Sequence, residues 1–309
     1  MTLLRTPLDK LFLSIISIYI FILVGYAAKH FFKERIDEKS FNLLSVYFLQ
    51  AFLSFWGLLK RPIDTDFLFA PMIYLGIIAI SLTLTFVLAR QFFTDTKERS
   101  ISTIAALIGN TGNLGIPLGI AIFGEESIPY TTLINLMNVF VVYTLGVYFY
   151  SRGNFSMKES IKNIFKLPPL WFAFLALGLN FYNIELPKEV MNALGMGAYA
   201  SMVLQLIILG MYFHSVRLRH LNLRLIVHVN MTKFILLPVL AFVFLQLTSL
   251  PIMIKGIIFM ELFMPLAVAN VNLGSLYHCK PEDITALIFI SSLLFLGLSF
   301  FAPYILISI

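Results

Sequence analysis

Ten apolar runs, each near the roughly 20 residues that a helix needs to cross a membrane, recur along this chain of 309 residues. Within several residues they lie at 11–29, 41–59, 68–92, 101–123, 128–150, 168–184, 192–214, 223–247, 253–276 and 283–308. Charged residues make up only 12% of the chain, whereas soluble domains carry about 25%. The sequence therefore predicts an all-α polytopic membrane protein with ten transmembrane helices.

The longest connection, residues 151–167, divides these spans into two sets of five. Because five is odd, the second set enters the bilayer from the opposite face, which is the inverted-repeat arrangement of many membrane carriers. We therefore predict two five-helix repeats, residues 1–155 and 156–309.

Lysine and arginine are distributed unevenly between the two sides of the predicted membrane. Fifteen of the 22 lie in connections after odd-numbered spans, six lie on the other side, and Lys233 lies inside the eighth span. The positive-inside rule then places both termini outside the cytoplasm, in an integral protein of the cell (inner) membrane. Short basic loops of this kind indicate topology and argue against nucleic-acid binding.

The fourth span contains a polar, glycine-rich segment that ends in proline. Three glycines and a proline within nine residues weaken a helix, and the proline lacks the donor that a continuous helix needs. Open backbone at membrane depth is tolerated only against protein or water, so it indicates a cavity. Candidate substrate-binding residues here are Asn110, Thr111, Gly112, Asn113, Gly115 and Pro117.

The ninth span, at the corresponding position of the second repeat, also carries a proline and two asparagines: Pro265, Asn270 and Asn272. Interrupted segments in corresponding positions of two halves point to a binding site near the midplane. Neutral amides suit a carboxylate or an ion. The alternative is that these asparagines hydrogen-bond neighbouring helices.

Two charged residues lie well inside spans. Lys233 is either a substrate or counter-ion residue or a side chain that reaches the interface. Glu261 could bind a coupling cation or proton, or pair with Lys233. Asn138 and Asn135 share one face of span 5, and Gln50 and Gln205 are isolated. Structural hydrogen bonding is the favoured interpretation for these amides, and Asn138 is kept as a candidate for the pocket.

Enzyme and cofactor functions have little support in the sequence. Every aspartate lies in a loop or at a span end, and no phosphate-binding lysine follows the glycines at Gly109 to Gly115. The single Cys279 and scattered histidines have no metal-ligand spacing. We expect no enzyme activity, no cofactor and no metal, with sodium or proton coupling left open.

The segment from Asn110 to Leu118 resembles the fourth-span signature of the auxin efflux carrier family, which includes bacterial malonate or malate permeases, and Met264 to Asn270 resembles its ninth-span signature. The resemblance implies a fold like that of bile acid:sodium symporters, in which broken helices 4 and 9 cross at Pro117 and Pro265. Spans 1, 2, 6 and 7 would form a scaffold, often within a homodimer. Spans 3, 4, 5, 8, 9 and 10 would form a mobile bundle.

Together these observations predict a secondary transporter of small organic anions, such as carboxylates or auxin-like compounds, that works by alternating access. The partners are the anion and the lipid bilayer. The alternatives are a sodium-coupled importer of organic anions and a membrane receptor that binds its ligand without moving it.

Overall fold

The computed structural model describes residues 7–152, 165–214, 216 and 222–299. Within these ranges the chain is helical, apart from short connections and one isolated β-bridge. Most of the predicted central linker and the end of the tenth predicted span lie outside the described residues, as do Arg5, Lys158, Lys162, Arg217 and Arg219.

Fifteen α-helices account for most of the described chain. They are α1 (Pro7–Phe32), α2 (Glu38–Leu44), α3 (Gln50–Leu58), α4 (Thr65–Phe92), α5 (Thr96–Ile104), α6 (Ile116–Phe123), α7 (Ile128–Val141), α8 (Val147–Tyr150), α9 (Pro168–Phe181), α10 (Lys188–His214), α11 (Leu223–Met231), α12 (Leu237–Gln246), α13 (Ile252–Phe263), α14 (Ala269–Leu276) and α15 (Pro281–Leu298). Four π-helical turns, Ser45–Leu49, Thr111–Gly115, Val142–Gly146 and Thr232–Leu236, make several of these helices continuous.

Seven helical segments of the described chain are long and apolar enough to cross a membrane. Two further apolar helices, Thr111–Phe123 and Pro168–Phe181, are shorter. The all-helical membrane class predicted from the sequence is therefore confirmed, whereas the count of ten spans and the inverted repeat stay predictions.

Aspartates begin several helices. Asp37, Asp64 and Asp95 each precede a helix and accept hydrogen bonds from backbone N–H groups of its first turn. These groups have no partner within the helix, so the carboxylates fix where α2, α4 and α5 start. This role accounts for the position of these acidic residues at span ends.

The helices of the described chain form one connected packing, in which α1 contacts α6 and α3 contacts α7. α1 lies along α10, and α3 packs against α9 and α10. α4 contacts α5, α7, α12 and α13. Most buried apolar side chains form one large cluster, but a second, small cluster joins α3 and α10 to α6 and α7: Leu53, Trp56, Ile116, Ile128, Ala198 and Met202. We call this small group the second apolar cluster.

α1 and α10 approach each other closely at two glycines. A β-carbon added to Gly25 would overlap the carbonyl oxygen of Ile207, and one added to Gly210 would overlap that of Ile22. Small residues of this kind let helix backbones touch inside a membrane. The obstacle at each position is backbone, which cannot rotate away as a flexible side chain can.

We expect Gly210→Ala to lower the free energy of unfolding by about 1–3 kcal/mol, the usual cost of overpacking. Thermal unfolding of the detergent-solubilised protein measures this. Gly178→Ala is the matched control, because a β-carbon there meets no atom within 4 Å. Equal stability of the two variants would show that the helices separate at no cost.

Candidate functional site

The helical backbone is interrupted twice at the centre of the protein. One interruption lies between Leu107, where the short 3-10 extension of α5 ends, and Thr111, where the π-helical turn leading into α6 begins. The other lies between Phe263, the end of α13, and Ala269, the start of α14. These are the two segments in which the sequence placed proline together with asparagine.

The two interruptions are hydrogen-bonded to each other. The Asn110 N–H donates to the carbonyl oxygen of Pro265 at 2.8 Å, and the Ala267 N–H donates to that of Ile108 at 3.0 Å. They form a short antiparallel bridge. Backbone groups freed by breaking the helices thus find partners without water, as membrane depth requires. We call this bridge the crossing.

A pocket of about 330 Å³ lies against the crossing. It is lined by the start of each resumed helix, by α2 and its π-helical turn, by α7, and by parts of α9 and α10. None of the described residues that line it carries a formal charge. Its polarity therefore comes from amides, hydroxyls and backbone.

The predicted site residues divide into two groups by position. Those that line the pocket are Asn110, Thr111, Gly112, Asn113, Asn138 and Asn272. Those that do not line it are Gly115, Pro117, Lys233, Glu261, Pro265 and Asn270. Pro117 lies in α6 directly after the π-helical turn Thr111–Gly115, where it has no N–H to donate to the preceding turn. The bond to Pro265 comes from Asn110 rather than from Pro117, at which the resemblance placed the crossing.

Asn110 and Asn113 both line the pocket. Asn110 is buried, and its Nδ2 has no hydrogen-bond partner in the described part of the chain. Both residues lie at the N-terminal end of the helical segment Thr111–Phe123, where backbone N–H groups give a positive potential. The N-terminal end of α14 borders the same pocket through Ala269. The arrangement favours an anion.

Other polar groups of the pocket already have partners. Thr111 Oγ1 donates to Asn135 Oδ1 at 2.9 Å. Asn138 Nδ2 donates to the Gly109 carbonyl oxygen at 2.8 Å, and its Oδ1 accepts a hydrogen bond from Tyr74 at 3.4 Å. These contacts tie α7 to the crossing and hold its polar edge in place.

The two asparagines of the ninth predicted span differ. Asn270 is fully buried; its Nδ2 lies 3.1 Å from the Ile108 carbonyl oxygen and its Oδ1 accepts from Tyr150 at 2.8 Å. Asn272 lines the pocket and accepts a hydrogen bond from Tyr212 at 3.2 Å. Asn270 therefore supports the crossing, whereas Asn272 can also meet a ligand.

Lys233 and Glu261 are buried at the crossing but outside the pocket lining. Lys233 is 2% exposed, and its Nζ would lie 3.0 Å from a β-carbon on Gly109. Glu261 is 0% exposed, and its carboxylate packs against Gly115. Among the described residues neither has an ion-pair partner within 4.0 Å. Lys233 thus lies beside Gly109 in the first interruption, and Glu261 packs against Gly115 in the π-helical turn that leads into α6.

Two unpartnered atoms of the pocket belong to residues that the sequence did not assign to the site. Ser45 and Gln205 line the pocket, and their atoms Ser45 Oγ and Gln205 Oε1 are buried with no hydrogen-bond partner among the described residues. The sequence favours a structural hydrogen-bonding role for Gln205 and gives no sign that Ser45 belongs to the site. Their signal was weak, since each is an isolated polar residue in an apolar span.

A second polar contact joins α3 and α10 to the connection between α6 and α7. Lys60, which follows α3, forms an ion pair with Glu125, which follows α6, at 2.9 Å. Tyr199 of α10 hydrogen-bonds the same carboxylate at 3.5 Å. The Lys60 ammonium also lies 4.5 Å from the ring centre of Trp56, part of the second apolar cluster. We call the Lys60–Glu125–Tyr199 group the clasp.

A group of charges joins the connections that the sequence places in the cytoplasm. Lys280 bonds Glu98 at 2.5 Å and lies 3.7 Å from Asp95, and Asn222 bonds Glu98 at 2.9 Å. The backbone N–H of Glu98 and the charge of Lys280 hold the pKa of Asp95 below its ordinary value. The starts of α5, α11 and α15 are thereby fixed relative to one another.

Comparison with known proteins agrees with this architecture. The family model described as "Membrane transport protein" matches residues 10–160. A protein of Methanocaldococcus jannaschii, named an uncharacterized transporter, is 28% identical over 289 residues, covering 90% of this chain and 93% of the relative. One of Methanothermobacter thermautotrophicus with the same description is 26% identical over 211 residues, covering 67% and 69%. The chain is an integral membrane transporter, similar over its first half to the membrane transport protein family and over most of its length to archaeal proteins named as transporters.

Proposed function

We propose that this chain is a secondary transporter of small organic anions, in which the pocket at the crossing binds a carboxylate. The observation that carries the proposal is the buried, unpartnered amide of Asn110 at the N-terminal end of an interrupted helix. A carboxylate oxygen would accept hydrogen bonds from this amide and from Asn113. A pocket of about 330 Å³ suits a small molecule.

Alternating access would divide the helices into two groups. α1, α3, α9 and α10 correspond to the scaffold of spans 1, 2, 6 and 7, and the crossing lies in the bundle of spans 3, 4, 5, 8, 9 and 10. The pocket is lined by residues of both groups, such as Gln205 and Asn110. Sliding the bundle past the scaffold would carry the bound anion between the two sides of the membrane.

The predicted topology makes this conformation inward-facing. The pocket reaches Asn42 and Pro169, at helix ends that the positive-inside rule places toward the cytoplasm. The clasp and the second apolar cluster close the other side.

Sodium coupling through Glu261 is less consistent with the geometry. The side-chain nitrogen of Lys233 lies beside Gly109 of the same crossing, and its protonated form repels a sodium ion. Proton coupling or potential-driven movement of the anion alone agrees better with this arrangement. A homodimer contact would involve the scaffold.

The test is uptake of labelled malate, malonate and indole-3-acetate into proteoliposomes. Each anion is measured with and without a sodium gradient and an imposed membrane potential. We expect saturable flux that the potential drives and sodium leaves unchanged. Dependence on sodium would favour the coupled importer, and binding of an anion without any flux would favour a receptor.

A further inference from the structure

The unpartnered polar atoms around the pocket lie on two different walls. Asn110 Nδ2 belongs to the crossing, whereas Ser45 Oγ and Gln205 Oε1 belong to the wall formed by the π-helical turn after α2 and by α10. Buried polar atoms in folded proteins are nearly always hydrogen-bonded, and each exception calls for a partner. The proposed carboxylate at the crossing would supply a hydrogen-bond partner for Asn110 Nδ2 and leave Ser45 Oγ and Gln205 Oε1 without one.

The orientation of the Gln205 amide is set by a neighbour on its own helix. Gln205 Nε2 donates to Ser201 Oγ at 2.9 Å, one turn earlier in α10, and both side chains are buried. This bond uses the donor side of the amide and leaves Oε1, an acceptor, without a hydrogen-bond partner among the described residues. The Ser45 hydroxyl can accept as well as donate. The wall that contains Ser45 and Gln205 therefore offers hydrogen-bond acceptors, whereas Asn110 Nδ2 is a donor.

We propose that Ser45 and Gln205 form a second polar subsite, which binds a hydroxyl or N–H donor of the transported anion. This inference rests on the proposed function, because it takes the carboxylate to lie at Asn110. The substrate class is then narrower than organic anions in general. It comprises anions that carry a hydrogen-bond donor apart from the carboxylate, as hydroxycarboxylates and indole acids do.

The subsite would make the protein prefer anions that carry a hydrogen-bond donor over analogues that lack it. An anion with a donor group would donate a hydrogen bond to Gln205 Oε1. An analogue without the donor would fill the same space and leave that oxygen buried without a hydrogen-bond partner. Sites built to bond a polar group reject such analogues for this reason. One lost neutral hydrogen bond with an unpaired partner corresponds to a preference of at least about tenfold.

The experiment uses pairs of anions that differ mainly in one donor: malate with succinate, lactate with propionate, and indole-3-acetate with naphthalene-1-acetate. Each is titrated against the full-length, detergent-solubilised protein, and half-maximal thermal stabilisation gives an apparent affinity. We expect the donor-bearing member of the pair that fits best to bind at least about tenfold more tightly than its analogue. Gln205→Met should remove this preference, because the donor-bearing anion loses its hydrogen bond and the donor-free analogue no longer leaves an oxygen unpaired. Ser45→Ala should reduce the preference.

Two controls separate the subsite from folding and from the crossing. Gln246→Met makes the same substitution at the end of α12, outside the pocket lining, and should keep the preference. The unfolding temperature measured without any anion shows whether Gln205→Met still folds. Pyruvate, which offers an acceptor in place of the hydroxyl of lactate, should bind as weakly as propionate.

Equal affinity of both members in every pair would overturn the subsite while leaving the carboxylate site intact. A preference that survives Gln205→Met, or pyruvate binding as tightly as lactate, would overturn it too. If none of the anions binds, the proposed function fails and the subsite fails with it. These results therefore distinguish the two proposals.

Discussion

Asn110→Ala should reduce anion flux about tenfold to a hundredfold without lowering the stability of the protein. The reduction follows from losing one hydrogen bond to a charged group, which contributes about 1.5–3 kcal/mol. Stability should be kept because the Asn110 amide nitrogen has no hydrogen-bond partner to lose among the described residues. Uptake into proteoliposomes and thermal unfolding of the same preparations measure the two effects.

Asn230→Ala is the matched control for this prediction. Asn230 is a buried asparagine of α11 whose Nδ2 bonds the Ile226 carbonyl oxygen at 2.8 Å, and it does not line the pocket. It should lose stability and keep its apparent affinity for the anion. If Asn110→Ala behaved in the same way, Asn110 would be a packing residue and the site would lie elsewhere.

Cross-linking the clasp should stop transport altogether. Lys60 adjoins the proposed scaffold and Glu125 adjoins the proposed bundle, and the two are held together in this conformation. Replacing both with cysteine in a Cys279→Ser background leaves two thiols in the chain, because Cys279 is the single native cysteine. Treatment with a flexible bis-maleimide should then lower flux to that of empty vesicles, while the anion still binds to the open pocket.

Each single-cysteine variant, treated with the same reagent, should keep its flux. These controls separate the cross-link from chemical modification of either position. Undiminished flux through the cross-linked protein would mean that the two groups of helices need not separate at the clasp, and alternating access at this boundary would be abandoned.

The crossing could be anticipated from the sequence because its signal is local. Glycines and a proline disfavour helix wherever they occur, so Gly109 to Pro117 and the segment around Pro265 were identifiable from residue type alone. Length and apolarity likewise predicted the helical membrane class. Both inferences depend on neighbours in the chain and need no knowledge of tertiary packing.

The walls of the pocket were harder to predict because they depend on helix rotation. Ser45, Tyr143 and Lys233 lie within π-helical turns, where an extra residue shifts the face that every later side chain occupies. A regular helical period therefore assigns side chains near such turns to the wrong face. The same uncertainty concealed whether Lys233 and Glu261 point into the pocket.

Asn270 shows a further limit of predicting site residues from residue type. Its residue type suited a ligand site as well as Asn110 did, and the two lie in equivalent-looking segments. Only the three-dimensional contacts distinguish them, since the Asn270 amide is occupied by Tyr150 and by backbone of the other interruption. Whether an amide is free or engaged depends on partners distant in sequence.

The lack of formal charge along the pocket has an electrical consequence for the transport cycle. Because none of the described lining residues adds to or cancels the charge of the cargo, each passage across the membrane without a coupled proton would translocate the valence of the anion itself. Turnover would then be electrogenic, with a work term of about 2.3 kcal/mol per elementary charge at 100 mV. The current per molecule carried would report how many ionised carboxylates the substrate has, and so distinguish a monoanion from a dianion.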